Sequence, residues 1–313
     1  MNSPILLVGN SPNQVHGTGR SWGELLASLR TFAGMNPDDK AHVFKPFPLH
    51  FEEIRNRYLE ANPAGTDSKV IDKVATLFGD LRSNDIHKGL MNIPFANVLT
   101  TNYDNCLEQA AATMPVKSNF GINERSYSLF RRVANGDKCV WHVRGEVSSQ
   151  QSIVLGQDRY VEACSRMRRY MDGEGIAFAG KDPVKAVFKQ PDSFDPAAPH
   201  SWVDLFLTSD VHIAGFGMDY SEADIWYLLS YRARKHRTSA KWVERLAKTK
   251  VTAHMFQDTT KPIEIQASAA QKIEILKSFR VDVIEYSLKG SSYKEQWTRI
   301  IENLDAAARR KNH

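Results

Sequence analysis

Short apolar runs alternate along the chain with longer segments in which apolar residues recur at helical spacing. Ile5-Leu6-Leu7-Val8 is the first continuous apolar run, and FANVLTT at residues 95–101 is the second. Runs of this kind are typical of strands that are buried on both faces of a sheet. Between the two runs, apolar positions three and four residues apart predict helices over a segment from about residue 30 to residue 92.

The segment after the first strand carries the signals of a turn and a helix start. The apolar run breaks at Gly9-Asn10-Ser11-Pro12-Asn13, and Ser21 with Glu24 three residues later has the pattern of a capping box. A helix is therefore predicted from Trp22 to Leu29. This order of elements is typical of the first crossover of a nucleotide-binding α/β sheet, although the glycines do not follow the G-x-G-x-x-G spacing.

The remainder of the chain continues the alternation. Four prolines between residues 173 and 200 predict an irregular insertion or cap there. The pattern as a whole predicts an α/β fold with a Rossmann-like, doubly wound, mostly parallel sheet and helical insertions, in one domain over residues 1–313. Further strands are predicted at residues 139–143, 152–155, 210–215, 251–256 and 281–286, and further helices at residues 106–111, 158–171, 222–235 and 294–309.

Composition restricts the class of protein. The 313 residues are 42% hydrophobic and 25% charged, which excludes a disordered chain, a collagen-like fibre and a coiled coil. The net charge of +5 suits anionic ligands but is too small to indicate nucleic-acid binding by itself. No apolar run approaches the roughly 18 residues of a membrane helix, and the first residues lack the pattern of a secretory signal. We therefore expect a cytoplasmic protein with no membrane contact.

The three cysteines, at positions 106, 139 and 164, are widely spaced and form no C-x-x-C pair. This spacing predicts neither a disulfide framework nor a four-ligand zinc site. We expect a reduced protein without a metal, in which the cysteines are small core residues.

Polar and glycine clusters follow three of the predicted strands. In open parallel sheets, ligands bind beyond the carboxyl ends of the strands. We therefore expect these clusters to meet and to offer backbone amides to phosphates, and an amide and a carboxylate to ribose hydroxyls. A fourth strand carries His142 and Arg144, which are two residues apart and are predicted to share one face. The three clusters are Gly9-Asn10-Ser11-Pro12-Asn13, Thr100-Thr101-Asn102-Tyr103-Asp104 and Gly215-Phe216-Gly217-Met218-Asp219.

Each candidate residue also has a structural explanation. Asn102 and Asp104 belong to residue types that cap helices, and His142 is also explained as a half-buried strand histidine bonded to a carbonyl. Gly9 and Gly215 are also explained as turn glycines. A basic run between residues 232 and 250 fits a solvated helix face, or contact with a partner subunit or nucleic acid.

A resemblance to a known family rests on four segments that occur in the family's order between about Ile5 and Tyr231. The segments resemble the bacterial sirtuin-like domain, which occurs alone or fused in anti-phage defence proteins and is related to the NAD-dependent sirtuin deacylases. They are ILLVGNSPNQ, FANVLTTNYDNCLEQ, WHVRGEV with SIVLGQDRY, and HIAGFGMDYSEADIWYLL.

The resemblance implies a single sirtuin-like domain that binds NAD, with the pyrophosphate near the first glycine turn. By analogy, Asn102 orients the nicotinamide ribose and the attacking nucleophile, and Asp104 supports the pocket. The glycine turn at Gly215 is expected against the adenosine ribose and phosphates. The residues expected to bind NAD are Gly9, Asn10, Ser11, Asn13, Thr101, Arg144, Gly215, Gly217 and Asp219.

Two departures from the family pattern bear on the reaction. The zinc ribbon of the sirtuin deacylases is missing, which favours relatives that hydrolyse NAD over those that deacylate lysines. The family's catalytic histidine precedes a glycine, but Arg144 stands before Gly145 here. Arginine stays protonated and is no general base. Either His142 takes that role, or the chemistry is lost and Arg144 only binds phosphate or ribose.

The predicted function is therefore NAD hydrolysis to nicotinamide and ADP-ribose, as an anti-phage defence effector, with Asn102, His142 and Asp104 as catalytic residues. The alternatives are a catalytically impaired module that binds NAD or ADP-ribose, and an NAD-dependent ADP-ribosyl transferase or deacylase. The resemblance also implies a homo-oligomer and an ATPase or phage-sensing partner. Nucleic acid is not expected as a direct ligand.

Overall fold

The computed structural model describes residues 3–15, 21–37, 45–111, 116–117, 127–178, 181–186, 200–238 and 249–310. Within these ranges it has ten strands and ten α-helices. The strands are β1 (Ile5–Val8), β2 (Asn97–Thr100), β3 (Val116–Lys117), β4 (Arg132–Asn135), β5 (Lys138–His142), β6 (Ile176–Phe178), β7 (Lys181–Val184), β8 (Val211–Ala214), β9 (Val251–Gln257) and β10 (Val281–Ser287).

The helices follow most strands and connect them across the sheet. Short 3-10 helices lie at Ser11–Gln14 and Gln150–Ser152. The α-helices are α1 (Trp22–Phe32), α2 (Phe47–Ala61), α3 (Asp67–Gly79), α4 (Asp85–Asn92), α5 (Cys106–Ala110), α6 (Gln157–Asp172), α7 (Trp202–Thr208), α8 (Ala223–Thr238), α9 (Ile263–Ser278) and α10 (Tyr293–Arg310).

The main sheet has eight strands in the order β10-β9-β8-β1-β2-β5-β4-β3. All neighbours pair in parallel except β5 with β4 and β4 with β3, which are antiparallel. Strand β1 is central, and Ile5 aligns with Asn97 on one side and with Val211 on the other. The predicted α/β fold with a mostly parallel, Rossmann-like sheet is confirmed.

The strand order reverses at β1, because the chain first builds the sheet toward β2 and later returns to add β8 on the other side. Connections that depart in opposite directions leave a crevice at the carboxyl ends of the two strands, and ligands of open α/β sheets bind in that crevice. In this chain the crevice position is occupied by the turn that follows β1 at Gly9 and the turn that follows β8 at Gly215, which contact each other through backbone atoms.

Alternation along the central strand divides the core into two layers. Ile5 and Leu7 pack on one face with side chains from α6, α7 and α8, whereas Leu6 and Val8 pack on the other face with α4 and α10. All four are at most 1% exposed. A strand covered on both faces requires a continuous apolar run, which is the pattern from which β1 was predicted.

Helices α1, α2 and α3 form a third cluster that packs on the turn after β2. The Trp22 ring lies 5.6 Å from the Tyr103 ring and 5.7 Å from the Phe78 ring, measured between centroids. Ser21 and Glu24 form the predicted capping box: the Ser21 hydroxyl accepts the Glu24 amide at 3.2 Å, and the Glu24 carboxylate accepts the Ser21 amide at 2.6 Å. The predicted helical segment is thus a layer beside the strand ends.

Three local predictions differ from the structure. Residues 152–155 form no strand, because Ile153 and Leu155 pack into the cluster of α1–α3 and the Val154 amide bonds to the Arg144 carbonyl. The short strands β3 and β4 were not predicted; β4 is half polar and only alternately buried. The predicted irregular insertion contains the antiparallel hairpin β6–β7, while residues 179–180 and 187–199 of it lie outside the described ranges.

The approach of the two turns makes a prediction about Gly9. A Cβ at this position would lie 2.5 Å from the Gly215 carbonyl oxygen and 2.7 Å from the Phe216 Cα, both of them backbone atoms. We expect Gly9→Ala to lower the free energy of unfolding by about 2 kcal/mol or more, because the central strands must separate. Urea denaturation measures this. A Cβ at the exposed helical Gly79 meets no atom within 4 Å, so Gly79→Ala is the control; equal midpoints for both variants would contradict the prediction.

Candidate functional site

The three predicted clusters meet at the carboxyl ends of β1, β2 and β8. The Gly9 amide donates to the Ala214 carbonyl at 3.1 Å, and the Ser11 amide donates to the Gly215 carbonyl at 3.1 Å. On the other side, the Thr101 amide donates to the Val8 carbonyl at 3.3 Å. These bonds extend the ladders of the sheet into the turns and therefore fix the turns relative to one another.

The side chains of the first glycine turn form hydrogen bonds that stabilise that turn. Asn10 and Asn13 are buried, and the Asn13 amide nitrogen donates to Asn10 Oδ1 at 2.8 Å and to Asp104 Oδ2 at 2.9 Å. The Asn13 backbone amide donates to the Asn10 carbonyl, and Ser11 Oγ bonds to the hydroxyl of Tyr293. The amides of Gly9, Ser11 and Asn13 thus have protein acceptors, unlike the amides of a phosphate-binding loop.

Asn102 follows β2, beside the turn at Gly9, and is 4% exposed. Its side-chain nitrogen donates to the Gly9 carbonyl at 3.2 Å, and its backbone amide donates to Thr100 Oγ1 at 3.1 Å. Asn102 Oδ1 is buried and accepts no hydrogen bond within the part of the chain that the structure describes. Because a buried acceptor without a partner is costly, this oxygen is a position at which a ligand or water donor would be stabilised.

Asp104 has the capping role that was its structural explanation. Its Oδ1 accepts the Cys106 amide at 3.0 Å at the start of α5, and its Oδ2 accepts the Asn13 side chain. The carboxylate therefore joins the turn after β2 to the turn after β1. Asp104 therefore helps to hold these two turns in their relative positions.

His142 is the last residue of β5 and is 1% exposed. Its Nε2 lies 2.5 Å from Glu108 Oε1, and its Nδ1 lies 3.3 Å from the Asn102 carbonyl oxygen. Burial alone would lower the pKa of His142, but the Glu108 carboxylate outweighs it and raises that pKa to about 9. At neutral pH the ring is therefore an imidazolium whose two N–H groups both donate to oxygen.

Arg144 is a buried guanidinium paired with two carboxylates. Its Nε and Nη2 donate to Asp224 at 3.1 and 2.7 Å, and Nη2 also pairs with Glu222. The Tyr160 and Phe216 rings lie 5.2 and 5.8 Å from the guanidinium carbon. Burial opposes the charge, yet the two carboxylates hold the pKa of Arg144 well above its usual value.

The prediction that His142 and Arg144 share one strand face is wrong. Strand β5 ends at His142, and residues 143 and 144 form a turn that the Gly145 amide closes on the His142 carbonyl at 3.3 Å. Gly145 has a φ of +87°, which favours glycine. The two side chains therefore have different partners, His142 on α5 and Arg144 on α8.

The turn after β8 is anchored at its start and exposed at its end. Gly215 has a φ of +64°, and a Cβ there would lie 2.8 Å from the Trp297 ring. Gly217 and Asp219 are exposed. Asp219 Oδ1 accepts the Ser221 amide and hydroxyl at 2.9 and 2.7 Å, while Lys272 Nζ donates to the Gly217 carbonyl at 3.2 Å. Only the start of this turn belongs to the buried crevice.

A cavity of about 380 Å³ adjoins this arrangement, within the size range of small-molecule sites. Tyr160 connects the two, since its ring contacts the Arg144 guanidinium and also lines the cavity. The cavity walls come from the start of α2, from α6 and from the residues before α8: Pro46, Pro48, Leu49, Gln157, Tyr160, Val161, Cys164, Tyr220, Ser221 and Ala223.

Sequence analysis missed the acidic partners of the site. Glu108 lies on α5 in the motif that supplies Asn102, and Glu222 and Asp224 follow the second glycine turn in DYSEAD. Carboxylates close to the strand-end motifs were a usable signal, but their pairing depends on packing between distant elements. Arg144 and Asp224 are 80 residues apart in the chain.

Every helix in the described residues is too short or too polar to span a membrane. In the same ranges, no three His, Cys, Asp or Glu side chains are grouped so as to hold a metal ion.

The raised pKa of His142 predicts a pH-dependent contribution to stability. The folded pKa of about 9 exceeds the unfolded value of 6.5, so the stabilisation is complete below pH 6.5 and is lost as the pH rises through 9. We expect the cost of His142→Gln, measured by urea denaturation, to fall by about 2 to 3 kcal/mol between pH 7 and pH 10. Burial lowers the pKa of His87, so His87→Gln should cost the same at both pH values. A constant cost for His142→Gln would contradict the assigned charge.

Comparison with known families gives one match. Residues 96–230 match the family model of the SIR2-like domain. The matched range begins just before β2, ends within α8, and contains Asn102, His142, Arg144 and the turn at Gly215. Comparison with curated proteins gives no significant match. Over residues 96–230, the family match supports a sirtuin-like domain with an NAD-dependent function.

Proposed function

We propose that the protein binds NAD at the carboxyl edge of the sheet and hydrolyses it to nicotinamide and ADP-ribose. The observation that carries this proposal is the buried, unpartnered Oδ1 of Asn102. The side chain is oriented by the Gly9 carbonyl, so its free acceptor has a fixed position in the crevice. An acceptor of this kind suits a ribose hydroxyl or the hydrogen of an attacking water.

The reaction makes modest demands on acid–base groups. The bond between ribose C1′ and the nicotinamide nitrogen breaks, and both bonding electrons pass to the ring nitrogen, which leaves neutral. Water oxygen then bonds to C1′ and releases a proton. Positive charge develops on the ribose as the bond breaks, so orientation of ribose and water supplies much of the acceleration. Asn102 provides that orientation, and Asp104 supports it through Asn13 and the start of α5.

His142, the predicted base, is limited by its charge. As an imidazolium paired with Glu108, it accepts a proton only when the pH approaches its pKa of about 9. At neutral pH its contact with the Asn102 carbonyl makes it a positioning residue for Asn102. The water proton then passes to solvent.

A second candidate function is a module that binds NAD or ADP-ribose without turnover. The observation that favours it is Arg144, which stands before Gly145 in place of a histidine and is locked between Asp224 and Glu222. A guanidinium stays charged at every physiological pH and takes no proton. In this function the cleft would have no base at that position.

The remaining expectations rest on the resemblance. They are NAD contacts by Gly9, Asn10, Ser11, Asn13, Thr101, Arg144, Gly215, Gly217 and Asp219, action as a defence effector, a homo-oligomer, an ATPase or phage-sensing partner, and the alternative of ADP-ribosyl transfer or deacylation.

Nicotinamide release from NAD tests the first proposal. We expect the purified protein to release nicotinamide and Asn102→Ala to lower the rate by about 100-fold, the usual scale for losing one oriented polar group. Asn105→Ala is the matched control, because Asn105 lies three residues away at the start of α5 and its side chain makes no cap bond. Equal losses in the two variants would contradict the assignment of Asn102.

Arg144→His separates the two candidate functions. Turnover in the parent that Asn102→Ala abolishes supports hydrolysis. A parent that binds ADP-ribose by calorimetry without releasing nicotinamide, together with turnover in Arg144→His, supports the binding module. Thermal unfolding of Arg144→His should accompany the assay, because this variant leaves Asp224 and Glu222 without their guanidinium.

A further inference from the structure

A second cavity lies at the opposite edge of the sheet and has a strongly basic lining. Its volume is about 450 Å³, and its walls include Val251 and Val281, the first residues of β9 and β10. These strands run parallel to β8, so their amino ends lie away from the crevice at the carboxyl ends. Among the described residues, the lining also includes Arg232, His236, Lys250, Lys277, Arg280 and a single carboxylate, Asp282.

Arg232 is a buried residue in the lining of this basic cavity. It is 7% exposed and donates to the Phe206 carbonyl at 3.2 Å and to Thr249 Oγ1 at 2.6 Å, both neutral acceptors. Burial lowers the pKa of Arg232 to about 10, and only Asp210 opposes this effect. Asp210 itself accepts the Lys250 backbone amide at 2.7 Å. A buried guanidinium without a paired carboxylate is costly, and a bound anion would offset that cost.

Within the described ranges, the basic side chains of the cavity rim also form no ion pairs with carboxylates. Among the described residues, no salt bridge includes Arg232, Lys250, Lys277 or Arg280. Arg280 Nη1 bonds to His236 Nδ1. A guanidinium only donates hydrogen bonds, so His236 Nδ1 is the acceptor. The imidazole proton of His236 is therefore on Nε2, and this N–H group is a further donor.

Compensation of helix dipoles explains only part of this charge. His236 and Lys277 lie in the last turns of α8 and α9, where basic residues are favoured. Arg232 lies further inside α8 and is buried, and Lys250 precedes β9. Helix dipoles therefore do not account for the presence of Arg232 and Lys250 in the lining of this cavity.

We propose that the basic cavity binds a small soluble ligand with two or more phosphate groups. The described part of the lining has four Lys and Arg side chains and one carboxylate, which suits a ligand with several negative charges. The volume of about 450 Å³ lies within the size range of small-molecule sites. Lys241, Arg245 and Lys248 of the basic run noted in the sequence lie outside the described residues and are not part of the proposal.

Calorimetric titration with inorganic tripolyphosphate tests the site. We expect binding by the full chain, weakened about tenfold or more by Lys250→Glu and by Lys277→Glu. Lys69→Glu is the matched control, since Lys69 is exposed on α3 and makes the same change in net charge. Both cavity lysines are exposed, so their replacement should leave the fold intact, which thermal unfolding checks.

Each result is decisive. Selective loss in the two cavity variants, with Lys69→Glu and Asn102→Ala unchanged, supports the proposal. Absence of binding, or equal weakening by Lys69→Glu, overturns it. A parallel titration with a single-stranded oligonucleotide distinguishes the source of the phosphates: lysine-dependent binding of the oligonucleotide but not of tripolyphosphate would also overturn the small-ligand proposal.

Discussion

The backbone contact between Gly9 and the turn at Gly215 controls the geometry of the carboxyl edge. It leaves no room for a Cβ on Gly9, and it brings β1 and β8 into the same ladder through the Gly9 and Ser11 amides. The Asn102 side-chain nitrogen donates to the Gly9 carbonyl of the same turn. The position of the Asn102 acceptor oxygen therefore depends on a contact between two backbone segments that no side chain can replace.

Charge pairing is the second constraint on this edge. Glu108 holds His142, Asp224 and Glu222 hold Arg144, and a separate pair joins Arg131 to Glu146 at 2.9 Å. Charges removed from water are tolerated only when they are paired and hydrogen-bonded. The His142 pair and the Arg144 pairs join the end of β5 and the turn after it to helices on different sides of the sheet. They also occupy the groups that would otherwise move protons, which is why the candidate chemistry depends on orientation.

The sequence could predict features that depend on local pattern. The buried strands β1, β2 and β8 follow from continuous apolar runs, and the helix at Trp22 follows from its capping box. Features that depend on pairing between distant segments could not be predicted. The half-polar β4 is stabilised by its neighbours, and the charge of His142 depends on Glu108, 34 residues away. The sequence indicates that the strand-end clusters meet. It does not indicate which of their backbone amides donate hydrogen bonds to acceptors within the protein.

The central position of β1 has a consequence for how the chain folds. Ile5 aligns with Val211, so one edge of β1 can pair only after the chain about two hundred residues later has been synthesised. During synthesis at ~5–20 residues per second, one edge of β1 stays unpaired for roughly 10 to 40 s. Contacts of such long range also slow folding, because loop closure precedes the gain from pairing. The same connectivity that creates the crevice therefore leaves an apolar strand edge available to chaperones, or to aggregation, until β8 has been made.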